Sequence, residues 1–198
     1  MKKDKMYPYR FFKLILGSLF KIYYNPKIIG KENIPKTGPI IIAGNHKHLF
    51  DQCLTILATK RPIHYMAKKE YFDGKFAWFF KISGCISVDR STKDPNATKK
   101  ALEVLNNNHA LGIFPEGTRN KTNEVLLPFK YGAVSLANKT DAYIVPFGIT
   151  GTYKFRSKDL TIRFGKPFKV GKKLELSNSK LRTTVYELIQ ENMKNSVK

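Results

Sequence analysis

Residues 39–51 have the sequence PIIIAGNHKHLFD, in which an uninterrupted apolar run turns directly into a polar loop. An apolar run without polar alternation predicts a strand that is buried on both faces, as in a sheet covered by helices. A second such run, LGIF at residues 111–114, leads into the polar loop PEGTRNKTN at residues 115–123. Ligand sites in open α/β sheets lie just outside the carboxyl ends of strands. The two polar loops therefore form one cleft if their strands are neighbours.

The rest of the chain alternates between short apolar segments and helical ones. Further strands are predicted for IHYMA (63–67), CISVDR (85–90), DAYIVPFGI (141–149) and DLTIRFG (159–165). Helices are predicted between them, one of which begins at Asp94 with Pro95 in its first turn, and at KLRTTVYELIQENMKN (180–195). This alternation predicts an α/β fold: a single domain over residues 25–198, in which a largely parallel or mixed sheet is flanked by helices.

Three local patterns refine this expectation. The turn-rich segments NPKIIG (25–30) and NIPKTG (33–38) are expected to mark the entry into the domain. The alternating pattern of residues 159–165 predicts a half-exposed strand. Pro146 inside a strand-like run predicts an edge strand or a bulge.

The N-terminal residues 1–24 predict a separate helix. The apolar part, FFKLILGSLFKIYY, is interrupted by Lys13 and Lys21, so it resembles neither a cleavable secretion signal nor a membrane-crossing segment. On a helical projection Arg10, Lys13, Gly17 and Lys21 form one narrow stripe, and aromatic and aliphatic residues cover most of the rest. This breadth favours a helix lying in the plane of a membrane surface, and a terminal helix docked on the protein core is the alternative.

The overall charge points to anionic partners. The chain of 198 residues carries 36 Lys and Arg against 15 Asp and Glu, a formal net charge of +21. Such a field favours nucleic acid, an anionic membrane surface or phosphorylated small molecules without choosing among them. The two cysteines, Cys53 and Cys85, predict neither a disulfide framework nor a structural zinc site and fit a reducing compartment.

His46 and Asp51 are candidates for a general base and the carboxylate that orients it. The loop residues between them bend the chain, so Asp51 at the start of the next helix can reach one ring nitrogen while the other accepts a proton. The alternative is a loop histidine that bonds the backbone beside a helix-capping aspartate. A metal site formed by His46, His48 and Asp51 is a second chemical possibility, although His64 and His109 stand alone in the sequence.

The loop at residues 115–123 suits anion binding. Arg119 provides a planar donor fork for a phosphate or carboxylate, and Glu116 is placed to orient that fork or to bond a substrate hydroxyl. Arg90, at the end of another predicted strand, is a second candidate anion contact. An ordinary Glu–Arg surface pair is the alternative. Since no G-x-S-x-G, Walker or dinucleotide-binding motif is present, direct attack by a substrate hydroxyl is the simplest scheme.

The segments NHKHLFD (45–51), GCISVDR (84–90), FPEGTRN (114–120) and IVPFGI (144–149) occur in that order. Together they resemble the four sequence blocks of the glycerolipid acyltransferases, most narrowly the bacterial 1-acyl-sn-glycerol-3-phosphate (lysophosphatidic acid) acyltransferases. The resemblance covers about half of the chain. It implies transfer of a fatty acyl group from an acyl carrier protein or coenzyme A thioester to the sn-2 hydroxyl of lysophosphatidate, with no metal and no bound cofactor.

The resemblance also implies residue roles. His46 would be the general base and Asp51 its partner. The acceptor would be bound by residues of the second and third blocks, namely Arg90, Glu116, Gly117, Thr118 and Arg119. Val145 and Pro146 of the fourth block would position the substrate or its acyl chain. The sequence departs from the usual blocks at His48 and Asn120, where serine is common, which leaves a changed acceptor or a second proton-transfer group open.

Lipid substrates imply contact with an anionic phospholipid membrane, and we expect a peripheral or monotopic protein on the cytoplasmic face of the cell membrane. The aromatic segment around Trp78 is expected to assist the N-terminal helix. Three alternatives remain: an acyltransferase for glycerol 3-phosphate or another lysolipid, a catalytically inactive membrane-binding protein, and a basic nucleic-acid-binding module. No recognised nucleic-acid-binding motif supports the last, so we expect no nucleic-acid partner.

Overall fold

The computed structural model describes residues 6–89 and 91–196, without the side chain of Ser196. Within these ranges the strands are β1 Lys27–Ile29, β2 Ile40–Gly44, β3 Ile63–Lys68, β4 Ile86–Val88, β5 Ala110–Ile113, β6 Tyr143–Thr150 and β7 Thr161–Phe164. The α-helices are α1 Tyr7–Tyr24, α2 Asp51–Ala58, α3 Ala77–Ile82, α4 Pro95–Asn106, α5 Gly132–Thr140 and α6 Leu174–Ser196. Short 3₁₀ turns span Lys31–Asn33 and Lys69–Phe72.

The strands form one sheet in the order β1-β7-β6-β2-β5-β3-β4. Every neighbouring pair is parallel except β6 and β7, which are antiparallel. The predicted single α/β domain with a mixed sheet is therefore confirmed. The wholly apolar β2 lies near the middle, between β6 and β5, because only a strand covered on both faces can bury such a run.

Alternate residues of β2 face two separate hydrophobic layers. Ile41 and Ala43 belong to the layer packed under α4, α5 and α6, while Ile40 and Ile42 belong to the layer on the face of α2. All four residues are fully buried. Each buried isoleucine contributes roughly 1.5–3 kcal/mol relative to an exposed one, so this strand anchors both layers of the core.

The predicted start of α4 is confirmed. Asp94 is the N-cap, and its carboxylate accepts a hydrogen bond from the Ala97 backbone N–H at 2.9 Å. Pro95 occupies the first turn, where its fixed φ suits the helix and its missing N–H costs no hydrogen bond.

Three expectations about local structure were wrong or incomplete. The turn-rich segment at residues 25–30 contains β1, which pairs with β7. The strand β7 is mostly buried rather than half-exposed, because Ile162 and Phe164 pack into the hydrophobic layer on one face and α6 covers the other, where Arg163 hydrogen-bonds Asn192. The C-terminal helix begins at Leu174, six residues before the predicted start at Lys180.

Pro146 lies in β6, a central strand, so the expectation of an edge strand was wrong. The alternative of a bulge is confirmed, because residues 145 and 146 of β6 lie opposite three residues, 165–167, of the neighbouring segment. The ladder is interrupted at this point, so the missing N–H of Pro146 removes no regular hydrogen bond.

Helix α1 docks on α2 through part of its basic stripe. The Lys13 ammonium donates a hydrogen bond to the Thr59 carbonyl, and Gly17 faces Leu57 so closely that an added Cβ would lie 3.2 Å from its side chain. Burial, helped by the nearby Arg10 charge, lowers the pKa of Lys13 to about 8. These contacts agree with the alternative of a terminal helix docked on the protein, and membrane contact through the rest of its surface stays a prediction.

The outward side of α1 is apolar. Its exposed large side chains are Tyr7, Phe11, Leu14, Ile15, Leu16, Leu19, Ile22 and Tyr23. No helix among the described residues is both long and apolar enough to cross a membrane.

Candidate active site

The two polar loops singled out in the sequence lie side by side. Strands β2 and β5 are adjacent and parallel, with Ala43 opposite Ile113 at their carboxyl ends. The loops that follow are joined by a hydrogen bond of 2.7 Å from the Asn120 N–H to the His46 carbonyl. The prediction that the two loops share one edge of the sheet is therefore confirmed.

His46 and Asp51 form a hydrogen-bonded pair. The Nδ1 atom of His46 lies 2.8 Å from Oδ2 of Asp51, whose side chain is fully buried. The backbone N–H groups of Lys47 and His48 donate to the same oxygen at 2.6 and 2.8 Å. Asp51 is the first residue of α2, where the helix dipole also favours a carboxylate. Residues 46–48 thus direct three hydrogen-bonding groups at Oδ2 of Asp51.

The His46 ring is held in place, and its Nε2 atom is left available. It stacks on Phe114 at the end of β5, with ring centroids 4.0 Å apart and an angle of 14° between the planes. The His46 side chain keeps 13% of its surface exposed, and Nε2 bonds no described residue. With Nδ1 held by a carboxylate, Nε2 is the nitrogen available to accept a proton.

Glu116 holds the two loops together. Its buried carboxylate accepts the His46 N–H at 2.7 Å through Oε1 and the Leu127 N–H at 2.9 Å through Oε2. Burial raises the pKa of Glu116, and the two backbone hydrogen bonds oppose that shift. The expected contact that would orient the Arg119 guanidinium is not formed between these described residues, because both carboxylate oxygens face the backbone. Its direct role in binding an acceptor stays a prediction.

The neighbouring residues Thr118 and Arg119 are exposed. Gly117 adopts a left-handed φ of 71°, a conformation that favours glycine. The side chain of Lys130 lies against it, 3.0 Å from the position of an added Cβ. Arg119 has no ion-pair or hydrogen-bond partner among the described residues, so its exposed guanidinium is available to an anion. Arg90 lies outside the described residues.

Val145 and Pro146 are buried in β6, opposite Ile42 and Ala43 of β2. Val145 belongs to the hydrophobic layer on the α2 side. Their role in positioning the substrate stays a prediction. What the structure shows is that both residues pair with β2.

The arrangement of His48 does not match the metal site considered above. Its ring stacks on Tyr153, with centroids 4.2 Å apart, and its Nδ1 accepts the Phe50 N–H at 3.3 Å. Across residues 6–89 and 91–196, no group of three or more His, Cys, Asp or Glu side chains is arranged to hold a metal ion.

Sequence reasoning missed Tyr153. This residue follows β6 and donates its hydroxyl to Oδ1 of Asp51 at 2.5 Å, across 102 positions of sequence. Burial, together with the negative charge of Asp51, raises the pKa of Tyr153, so the phenol stays a proton donor. A lone tyrosine in a loop carries no local pattern that could have revealed this contact.

Comparison with known proteins identifies the family. Residues 25–150, more than half of the chain, match the family model described as Acyltransferase. The chain belongs to the acyltransferase family.

The relatives of this acyltransferase have consistent names. A 1-acyl-sn-glycerol-3-phosphate acyltransferase from Bacillus subtilis is 31% identical over 165 residues, covering 80% of this chain and 81% of the relative. The proteins of that name from Borreliella burgdorferi and Saccharomyces cerevisiae are 34% and 36% identical. These matches cover 70% and 73% of this chain, and 56% and 47% of the two relatives.

A solved structure shares the fold. The crystal structure of the 1-acyl-sn-glycerophosphate acyltransferase from Thermotoga maritima superposes with a TM-score of 0.77 at 22% identity. The superposition covers 96% of this acyltransferase and 83% of that chain.

Proposed function

We propose that this acyltransferase moves a fatty acyl group from a thioester to the sn-2 hydroxyl of 1-acyl-sn-glycerol 3-phosphate, giving phosphatidic acid. The observation that carries the proposal is the His46–Asp51 pair, with Nε2 open beside a loop that presents the unpartnered Arg119. The names of the relatives support this acceptor.

In the proposed reaction His46 acts as the general base. As the acceptor oxygen bonds to the thioester carbonyl carbon, its proton passes to Nε2 of His46. The tetrahedral intermediate then collapses, the C–S bond breaks, and the leaving sulfur takes the proton back from the imidazolium. Asp51 stabilises the imidazolium between these steps. A positioned base contributes about 10²- to 10⁴-fold to such a step. The chain supplies both groups, so the scheme needs no resident metal or cofactor.

The acceptor phosphate is proposed to bind at the loop of residues 116–119, with Arg90 as a further contact. Arg119 offers a planar guanidinium, and Gly117 supplies the left-handed turn of this loop. Holding the phosphate at this point keeps the acceptor hydroxyl within reach of the adjacent His46, which lowers the entropic part of the barrier. The donor would be an acyl carrier protein or coenzyme A thioester.

The proposed working place is the cytoplasmic face of the cell membrane, bound as a peripheral or monotopic protein. The outward face of α1 carries the exposed apolar side chains described above, and Phe76 and Trp78 near α3 are exposed as well. Trp78 lies 6.0 Å from the ring of Phe12 of α1, so the two elements form one aromatic surface. The net charge of +21 favours anionic phospholipids as its partner.

An acyl-transfer assay tests the proposal. Purified protein would be incubated with a fatty acyl thioester of acyl carrier protein or of coenzyme A that is radiolabelled in the acyl group. Separate reactions would contain lysophosphatidate, glycerol 3-phosphate or lysophosphatidylcholine as the acceptor. We expect labelled phosphatidic acid as the main product. Labelling of another acceptor without phosphatidic acid would replace the proposed acceptor, and no transfer to any acceptor would contradict the proposed activity.

A further inference from the structure

The carboxylate of Asp51 is held from two different parts of the chain. Among the described residues, its Oδ2 atom accepts hydrogen bonds only from residues 46–48, which belong to the same loop. Its Oδ1 atom accepts from the Tyr153 hydroxyl at 2.5 Å, which is its one hydrogen bond within the described residues. Within the part of the chain that the structure describes, Tyr153 is thus the one residue distant in sequence that hydrogen-bonds this carboxylate.

Tyr153 is itself fixed by packing on both sides. Its ring stacks on the His48 ring with centroids 4.2 Å apart and an angle of 19° between the planes. The Tyr24 ring, at the end of α1, meets Tyr153 edge-on at 5.7 Å. The hydroxyl therefore has little freedom to move away from Asp51.

From these contacts we propose that Tyr153 is a positioning residue for the general base, acting through Asp51. Its O–H donor withdraws negative charge from the carboxylate and fixes the plane in which Asp51 meets Nδ1 of His46. This inference rests on the proposed function for its catalytic consequence, while the effect on the His46 imidazole is independent of the substrate.

The proposal predicts the sign of a pKa change. Without the Tyr153 hydroxyl, Asp51 keeps more negative charge and stabilises the imidazolium of His46 more strongly, so the pKa of that imidazole rises. A base with a higher pKa is protonated, and therefore inactive, up to a higher pH. The acid limb of the kcat/KM profile then moves to higher pH. The other titratable groups around this pair are His48, Tyr24, Cys53, Tyr65 and Glu116.

The test compares Tyr153→Phe with Tyr24→Phe, a control that removes a hydroxyl from the same aromatic cluster but none from Asp51. For Tyr153→Phe we expect kcat to fall about 10- to 100-fold, because Asp51 no longer holds the His46 ring in the orientation for proton transfer, with KM for the phosphorylated acceptor unchanged. The acid limb should move upward by roughly half a unit to one unit. Tyr24→Phe should keep the wild-type kcat and the wild-type position of the acid limb in the kcat/KM profile.

NMR titration of His46 in isotopically labelled protein provides a readout that does not depend on acyl transfer. We expect a higher imidazole pKa for His46 in Tyr153→Phe than in wild type and Tyr24→Phe. If that variant does not fold, 3-fluorotyrosine introduced at position 153 keeps the ring and strengthens the donor, and the His46 pKa should then fall. An unmoved His46 pKa would overturn the inference, whereas a moved pKa without acyl transfer would overturn only the proposed function.

Discussion

The backbone N–H of His46 donates a 2.7 Å hydrogen bond to the buried carboxylate of Glu116. The proposed base is thus held at two points, its ring by Asp51 and its backbone by a residue of the neighbouring loop. The second oxygen of Glu116 binds Leu127, which extends the restraint to the segment before α5. Each part of this arrangement has a consequence that can be measured.

Removing the proposed base or its partner should abolish most acyl transfer. We expect His46→Ala and Asp51→Asn each to lower kcat about 10²- to 10⁴-fold, because the hydroxyl loses its proton acceptor or the imidazolium loses its counter-charge. Lys47→Ala is the matched control, since its backbone N–H to Asp51 remains. Initial rates in a detergent or vesicle assay provide the measurement. Near wild-type turnover in either His46→Ala or Asp51→Asn would exclude the mechanism.

Truncating Glu116 should destabilise the two loops that form the site. Glu116→Ala leaves the N–H groups of His46 and Leu127 without their acceptor, and each unpaired buried donor costs about 1–3 kcal/mol. We expect a lower melting temperature and a lower kcat. Glu124→Ala removes an exposed carboxylate from the same segment and should change neither. Equal melting temperatures for the two variants would show that the Glu116 contacts are not stabilising.

Replacing Arg119 should affect mainly the use of the acceptor. If its guanidinium binds the acceptor phosphate, Arg119→Ala raises KM for lysophosphatidate about tenfold or more and leaves KM for the acyl donor unchanged. Lys121→Ala removes a nearby exposed charge and serves as the control. An Arg119→Ala protein with wild-type KM for the acceptor would remove this residue from phosphate binding.

A charge on the outward face of α1 should release the protein from vesicles. Leu19 is exposed on that face, and Leu19→Glu would place a carboxylate against the lipid surface. Ser18→Glu adds the same charge at an exposed polar position of the same helix. In flotation with vesicles containing anionic phospholipid, we expect weaker binding for Leu19→Glu than for Ser18→Glu. Equal binding would assign membrane contact to another surface.

The stability of the folded protein should depend on pH through Lys13, which is partly buried where α1 docks on α2. Burial lowers the pKa of Lys13 to about 8 in the folded protein, whereas a lysine in an unfolded chain has a pKa near 10.5. Between these values the unfolded chain binds one more proton than the folded one, so this residue makes stability rise with pH. In Lys13→Met the contribution is absent. We expect the difference in melting temperature, wild type minus variant, to increase from pH 8 to pH 10, and a constant difference would contradict the buried lysine.

The pattern of apolar runs was sufficient to predict the layered sheet, because a strand without polar alternation must be covered on both faces. It also predicted the start of α4 at Asp94, where capping depends on residues three positions apart. The pairing of His46 with Asp51 was accessible for the same reason, since the two lie five positions apart. Local contacts leave local patterns in the sequence.

The tertiary structure alone decided the remaining relationships. Tyr153 reaches Asp51 across 102 positions, and Glu116 reaches His46 across 70. The side of α1 that faces the protein is set by its contact with α2 and the residue after it, where Lys13 meets Thr59 and Gly17 meets Leu57. Such contacts arise from the order in which strands and helices pack, and neither hydrophobic periodicity nor residue spacing records that order.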